Sequence, residues 1–312
     1  MFMKEQPSYT SGYYPIRKVS ELTGINPVTL RAWERRYGLI KPERTPKGHR
    51  LYTDEHIQLI RRIIGLIDKG ISIGQVRHML ADSNSPLLAL EPVKTEERDA
   101  WSNYRSRMLQ AIAEFDEIVL DNSYNDALSL YPIELVTRLL IQPLLHELRQ
   151  RRNSEPLGEV EIRFFETYLR NKLGARFHHQ VTNSHGKRVL GACLPNEFSE
   201  VELLLFSLKA MTQGYRPILL GPNMALEQIP LVVDRSHCSA LVLYGSLEPP
   251  SALLQTDLPG LVQKLAEPVF VGGTIAQTHQ TEILEAGAIP LVADLAAAVN
   301  QISDRVPEEP SS

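Results

Sequence analysis

From Lys187 onward the chain carries five short, continuous apolar runs, RVLGACL, PILLG, ALVLYG, PVFVGG and PLVA. Stretches with helical spacing separate them: Val201–Gln213, Ala225–Arg235, Pro259–Leu265 and Gln277–Glu285. No other feature constrains the fold as much. A strand that is apolar on both faces must be covered on both faces, and an intervening helix is the connection that lets two such strands run parallel. The alternation predicts a doubly wound parallel sheet over 187–304. In open sheets of this kind ligands sit beyond the carboxyl ends of the strands. The polar loop after the first run, Asn196 to Glu200, is therefore the first place to look for a bound molecule.

Upstream, the rhythm is helical throughout. Asp99–Ala113, Phe115–Leu128, Ile133–Arg151 and Gly158–Phe177 read as helices with breaks near Asp116, Pro132 and Pro156. Short connections favour antiparallel neighbours, so residues 98–179 are expected to form a four-helix bundle. SNSPLLALEPVKTEE, 83–97, reads as a turn-rich linker, and the tail ISDRVPEEPSS as frayed. The length of 312 residues accommodates two or three cores. The two cysteines, Cys193 and Cys238, lie far apart inside apolar runs, which fits neither a disulfide framework nor a zinc pair and points to a reducing compartment. No apolar run has the length of a bilayer span, and MFMKEQPSYTSGYY lacks the apolar core of a signal peptide. A cytoplasmic protein is the expectation.

The first 82 residues differ in charge and in pattern. Met1–Ser83 holds 14 Lys+Arg against 8 Asp+Glu, whereas the remainder holds 19 against 29. A basic head on an acidic body suggests a polyanion partner for the head alone. Over 13–82, IRKVSELTG places Ile16, Val19 and Leu22 on one stripe and stops at Gly24. A second helix restarts at once, with Asn26 as N-cap, Pro27 at its first position and Gly38 just past its end. Two short helices around a tight turn make a helix-turn-helix candidate. KPERTPKGHRLY then reads as a hairpin wing. Thr53 caps a longer helix with Ile57, Ile60, Ile64 and Ile67 on one face, and Ser72 caps another with Ile73, Val76 and Leu80.

On the second helix Leu30, Trp33 and Tyr37 share a stripe expected to face the core. Arg31 and Arg35 lie on another, with Thr29 beside them. Arginine near a helix start suits the major groove, where it bonds guanine bidentately. In the wing, Arg44, Lys47, His49, Arg50 and Tyr52 are candidates for phosphate contacts, which set register and supply salt-dependent affinity. The bland alternative is that Arg31 and Arg35 only pair with Glu34 or other nearby acids.

NPVTLRAWERRYGLIKPERTPKGHRLY closely resembles the winged helix-turn-helix of MerR-type transcription regulators, the likeness running from about Tyr14 to Leu80. The resemblance implies a homodimer or higher oligomer on an inverted repeat in double-stranded promoter DNA, with RNA polymerase as a further partner.

The rest of the chain resembles the C-terminal half of cobalamin-binding MerR regulators, light-sensing repressors among them. PLLHEL in the third bundle helix, LLG at Leu219–Gly221 and VGG at Val271–Gly273 are shared landmarks. The overall expectation is a multi-domain α and α/β chain: N-terminal winged helix-turn-helix, four-helix bundle, and C-terminal Rossmann-like parallel sheet. The departures decide the cofactor. Where the family reads roughly Gly-Glu-x-His-x-x-Gly after the first strand, this chain has Asn196 to Glu202. Ser199 stands at the axial-histidine position and Glu202 where the corrin tail needs room; Glu197 alone survives. The family's bundle tryptophan falls on Arg152, and its Glu-His pair falls on Ile162 and Arg163. Hydroxyl is a poor cobalt ligand beside imidazole. His178, His179, His185 and His237 lie away from the loop after the first strand. The expectation is a regulator without cobalamin, an activator rather than a repressor, similar to regulators of curli and biofilm genes. An adenosylcobalamin-dependent, light-responsive repressor is the alternative. A dinucleotide enzyme would need G-x-G-x-x-G after the first strand, where ACLPNEFSE has no glycine. A corrinoid-carrier subunit would need the missing histidine. Metal sensing would need cysteines elsewhere, and no catalytic residues are expected.

Overall fold

A computed structural model of the protein describes residues 12–69, 71, 73–81, 97–182 and 184–306. Nearly all of the expected linker, the Ser72 cap and the last six residues fall outside that set. The chain divides into two compact units, Met1–Phe164 and Phe165–Ser312.

The first unit opens with a small antiparallel sheet in the order β1-β3-β2: β1 (Tyr14–Pro15), β2 (Glu43–Arg44) and β3 (Arg50–Tyr52). The β2–β3 hairpin is the wing; Gly48, at φ 81°, donates its N–H to the Thr45 carbonyl at 2.8 Å and closes the turn. Helix α1 (Ile16–Thr23) stops at Gly24, whose φ of 72° is left-handed. Helix α2 (Pro27–Ala32) starts where the Asn26 side chain accepts the Val28 N–H, and continues as a π turn over Trp33–Tyr37 to Gly38. Helix α3 (Asp54–Asp68) begins with a reciprocal Thr53–His56 cap, and α4 (Ile73–Ala81) follows. Val19, Leu30, Trp33, Ile57, Ile60, Ile63, Ile67 and Val76 make the core. On α3 the fully buried position is Ile63; Ile64, expected on that face, is only half-buried.

Four helical stretches follow as expected: α5 (Glu97–Ala113), α6 (Glu117–Leu130), a broken third helix, and α9 (Gly158–Val181). Phe115 takes a left-handed turn, and Asp116 caps α6 by accepting the Ile118 and Val119 N–H groups, each at 3.0 Å. The third helix, expected to be continuous, comprises α7 (Ile133–Val136), a π turn over Thr137–Ile141, and α8 (Gln142–Arg151). Pro143 explains the break. It lacks an N–H and its ring crowds the carbonyl of residue 139, inside the π turn. The π turn Leu253–Asp257 precedes Pro259 at the same spacing.

In the second unit four of the five apolar runs become β4 (Arg188–Cys193), β5 (Arg216–Gly221), β6 (Ala240–Tyr244) and β7 (Val269–Gly272); the fifth strand, β8 (Ile289–Pro290), meets the run PLVA only at Pro290, and Leu291–Ala293 are not strand. All pairs are parallel, in the order β5-β4-β6-β7-β8. Alternate residues feed two cores. Leu190, Leu241, Leu243 and Val271 face one side, packed by α11 (Ile229–Ser236), α12 (Leu258–Val262), α13 (Thr274–Thr278) and α14 (Gln280–Glu285). Val189, Val242 and Phe270 face the other, under α10 (Val201–Thr212) and α15 (Leu295–Ser303). The expected fraying begins later than the sequence suggests. Ile302 and Val306 are buried, so the chain is packed through residue 306. The reversal of strand order falls between β4 and β6. That is the position at which open sheets of this order bind ligands.

Candidate nucleic-acid interface

Arg31 and Arg35 lie exposed on one face of the recognition helix, with Val28, 54% exposed, one turn before Arg31. Among the described residues, neither arginine takes part in an ion pair. Lys47 and His49 are exposed on the wing. Glu34 instead holds the other two wing arginines. It accepts from Arg50 Nε at 2.5 Å and from Arg44 at 3.0 Å. Burial pushes the Glu34 carboxyl up, but the two guanidiniums outweigh it and hold it below the ordinary carboxylate value. The carboxylate thus ties helix to wing and partly neutralises Arg44 and Arg50.

Two expected contacts are corrected. Thr29 is fully buried, and its hydroxyl donates to the Leu128 carbonyl at 3.3 Å. It lies on the flank of the helix away from Arg31 and Arg35. Tyr52 is also fully buried; its hydroxyl has no partner among the described residues, and burial, followed by the Glu34 charge, pushes it up to about 12. Helical and strand periodicity place both side chains inward once α3 and α6 pack, so neither hydroxyl faces a phosphate.

At the sheet, Glu197 organises the loop after β4. It is 5% exposed; one carboxylate oxygen accepts the Ser246 N–H at 2.6 Å and hydroxyl at 2.7 Å, the other the Ser199 N–H at 3.1 Å. Its carbonyl accepts the Asn223 N–H at 2.7 Å, and the Asn223 side chain accepts the Asn196 N–H at 2.8 Å. The ends of β4, β5 and β6 are thereby tied together. Beside this clamp lies a cavity of about 120 Å³ walled by Leu194, Pro195, Gly245, Pro249 and Ile275. Ordinary ligand pockets span roughly 300–1,000 Å³.

The residues present do not fit a corrin. The Ser199 hydroxyl is buried with no partner among the described residues, where an imidazole would be needed. A Glu202 oxygen lies 2.9 Å from where a Cβ would stand on Gly273, and the Tyr244 ring 2.6 Å from the same point on Gly272. Tyr244 is 5% exposed, and burial, then the Glu202 charge, holds its hydroxyl well above the ordinary value. The floor of the site is therefore covered from within. On the bundle, Arg152 and Arg163 both bind Glu159, and Ile162 is buried. Their charges outweigh burial and hold Glu159 below its ordinary value. These three positions thus carry a salt-bridged arginine pair and a buried isoleucine where the resemblance implies a tryptophan and a Glu-His pair.

Two of these residues were not singled out from sequence for the parts they play. Glu34 was considered only as a partner for Arg31 and Arg35. Tyr244 reads as the last residue of an apolar strand, and only its place against Gly272 shows what it fills.

A winged helix-turn-helix with an exposed arginine face defines a DNA-binding protein. Residues 14–83 match the family described as MerR HTH family regulatory protein. The chain is 29% identical over 272 residues to the HTH-type transcriptional repressor CarH of Myxococcus xanthus, spanning 86% of this chain and 91% of that one. It is 35% identical over 136 residues to the HTH-type transcriptional regulator MlrA of Escherichia coli K12, spanning 44% of this chain and 52% of that one. In fold, 66% of the chain superposes on 99% of the monomethylamine corrinoid protein of Methanosarcina barkeri, with TM-score 0.53 and 13% identity. Residues 14–83 thus carry a MerR-type helix-turn-helix, and 66% of the chain shares its fold with a corrinoid protein. Among the described residues no helix is long and apolar enough to cross a membrane, and no cluster of His, Cys, Asp or Glu could hold a metal ion.

Proposed function

We propose that the protein binds an inverted repeat in promoter DNA as a homodimer or higher oligomer, and regulates transcription without cobalamin and without catalysing a reaction. Arg31 and Arg35 read bases; Lys47 and His49, with Arg44 and Arg50 once drawn from Glu34, hold phosphates. The observation that carries this reading is the exposed Arg31–Arg35 face beside a basic wing. Activation is favoured over repression, with RNA polymerase as partner and biofilm-type genes as targets, on the sequence resemblance to regulators of curli and biofilm genes. Arg31→Ala is expected to cost about 1–3 kcal/mol in operator affinity and to relax base preference, as loss of a bidentate contact does. Operator selection with wild type and variant checks it, and equal affinity with unchanged preference rejects the role.

Cobalamin independence rests on Ser199, Glu202, Tyr244 and the Arg152–Glu159–Arg163 bridge. A second reading, an adenosylcobalamin-dependent light-responsive repressor, is favoured by the extent of the likeness to the CarH repressor. Incubation with adenosylcobalamin in the dark, desalting, and a visible spectrum separate the two. A colourless protein is expected; a coloured one establishes the second reading.

A further inference from the structure

We propose that the bundle holds the recognition helix in a closed state, and that DNA must displace the last turn of α6 before α2 can enter the groove. The inference rests on the reading of α2 as the groove-binding helix. Thr29 and Trp33 lie one turn apart on the flank of that helix and are both fully buried. The Thr29 hydroxyl donates to the Leu128 carbonyl, and Trp33 Nε1 donates to the Leu130 carbonyl at 2.8 Å. The last carbonyls of a helix have no partner within it. Here the recognition helix supplies two of the missing donors, and it therefore caps α6.

Space makes this contact a competitor of DNA. The major groove is roughly 12 Å wide and an α-helix with its side chains roughly 10–12 Å across, so a second helix packed against the first stands where a phosphate backbone must run. Beyond the two hydrogen bonds, an exposed ion pair joins Asp68 at the end of α3 to Arg138 in the π turn. Trp101 stacks on Tyr131 at 4.5 Å between centroids, immediately after the carbonyl that Trp33 caps.

Both tryptophans of the chain thus sit at the joint, so intrinsic fluorescence reads it directly. The experiment titrates the full chain with a random-sequence duplex at low salt, where phosphate contacts alone drive binding. Fluorescence and amide exchange at 128–131 are followed together. Opening predicts a shift of emission to longer wavelength and faster exchange on binding. It also predicts that Thr29→Val and Trp33→Phe, each removing one donor, bind the duplex roughly threefold to tenfold more tightly, as loss of one hydrogen bond from the closed state allows. Binding with unchanged emission and exchange overturns the closed state, as does weaker binding by both variants at unchanged thermal stability. The wild-type titration decides the matter if either variant fails to fold. Absence of any binding at low salt instead overturns the DNA reading beneath it.

Discussion

Glu34 shows how one carboxylate serves stability and function with opposite sign. Its side chain is 17% exposed, and it holds Arg50, itself 14% exposed, and the more open Arg44. A hydrogen bond between charged groups in such a place stabilises more than a surface ion pair does. It also withdraws two cations from the face that meets phosphate. Glu34→Gln is expected to lower the stability of the head by about 1 kcal/mol and to tighten non-specific DNA binding. The slope of log K against log salt should steepen by about one to two for the added contacts. Thermal melts and salt titrations measure both; looser binding would reject the competition. The pH dependence has a definite sign. The folded carboxyl is held below its ordinary 4.5, so its contribution is complete above that value and is lost as pH falls through the lowered one. The gap in melting temperature between wild type and variant should therefore close on acidification.

At the scale of elements, the loop over the sheet shows what was legible in sequence and what was not. The β–α alternation is a local pattern, and four of the five strands formed where an apolar run lay, while β8 meets its run only at Pro290. The helix-turn-helix was legible for the same reason, since its caps at Asn26 and Gly38 act on residues close by. The clamp on Glu197 joins residues 49 apart in sequence and depends on β4 and β6 being neighbours, which no local pattern states. Thr29 was misplaced for a related reason. Its partner Leu128 is 99 residues away. The clamp makes its own prediction. Glu197→Gln turns an acceptor of three N–H or O–H groups into one that presents an amide N–H to donors, so a buried donor is left unpaired. The second unit should lose about 1–3 kcal/mol, with exchange rising at Ser199 and Ser246. A melting temperature equal to wild type would show that the loop is held by packing alone.

At the scale of the molecule, charge is divided by function. The basic head is outnumbered by the acidic remainder, and the whole chain is net −4 with a pI near 6.2. The excess acid does not prevent DNA binding, because exposed charges beyond a Debye length of about 8 Å are largely screened at physiological salt. Affinity then depends on the cations that reach phosphate, which lets the salt slope count heads. Apart from the base-reading Arg31 and Arg35, the cations Arg36, Lys41 and Lys47 take part in no ion pair among the described residues, while Arg44 and Arg50 are engaged by Glu34. Each phosphate neutralised contributes about −0.9 to the slope. If these three act, one head gives a slope of about −3 and two heads give about −5. Two heads on an inverted repeat therefore predict a loss of roughly 10³-fold or more in affinity between 50 and 200 mM salt. Binding isotherms on a selected operator across that range, with sedimentation of the complex, test this. A slope near −3 on a site occupied by a single chain would reject the dimer, and with it the requirement for an inverted repeat.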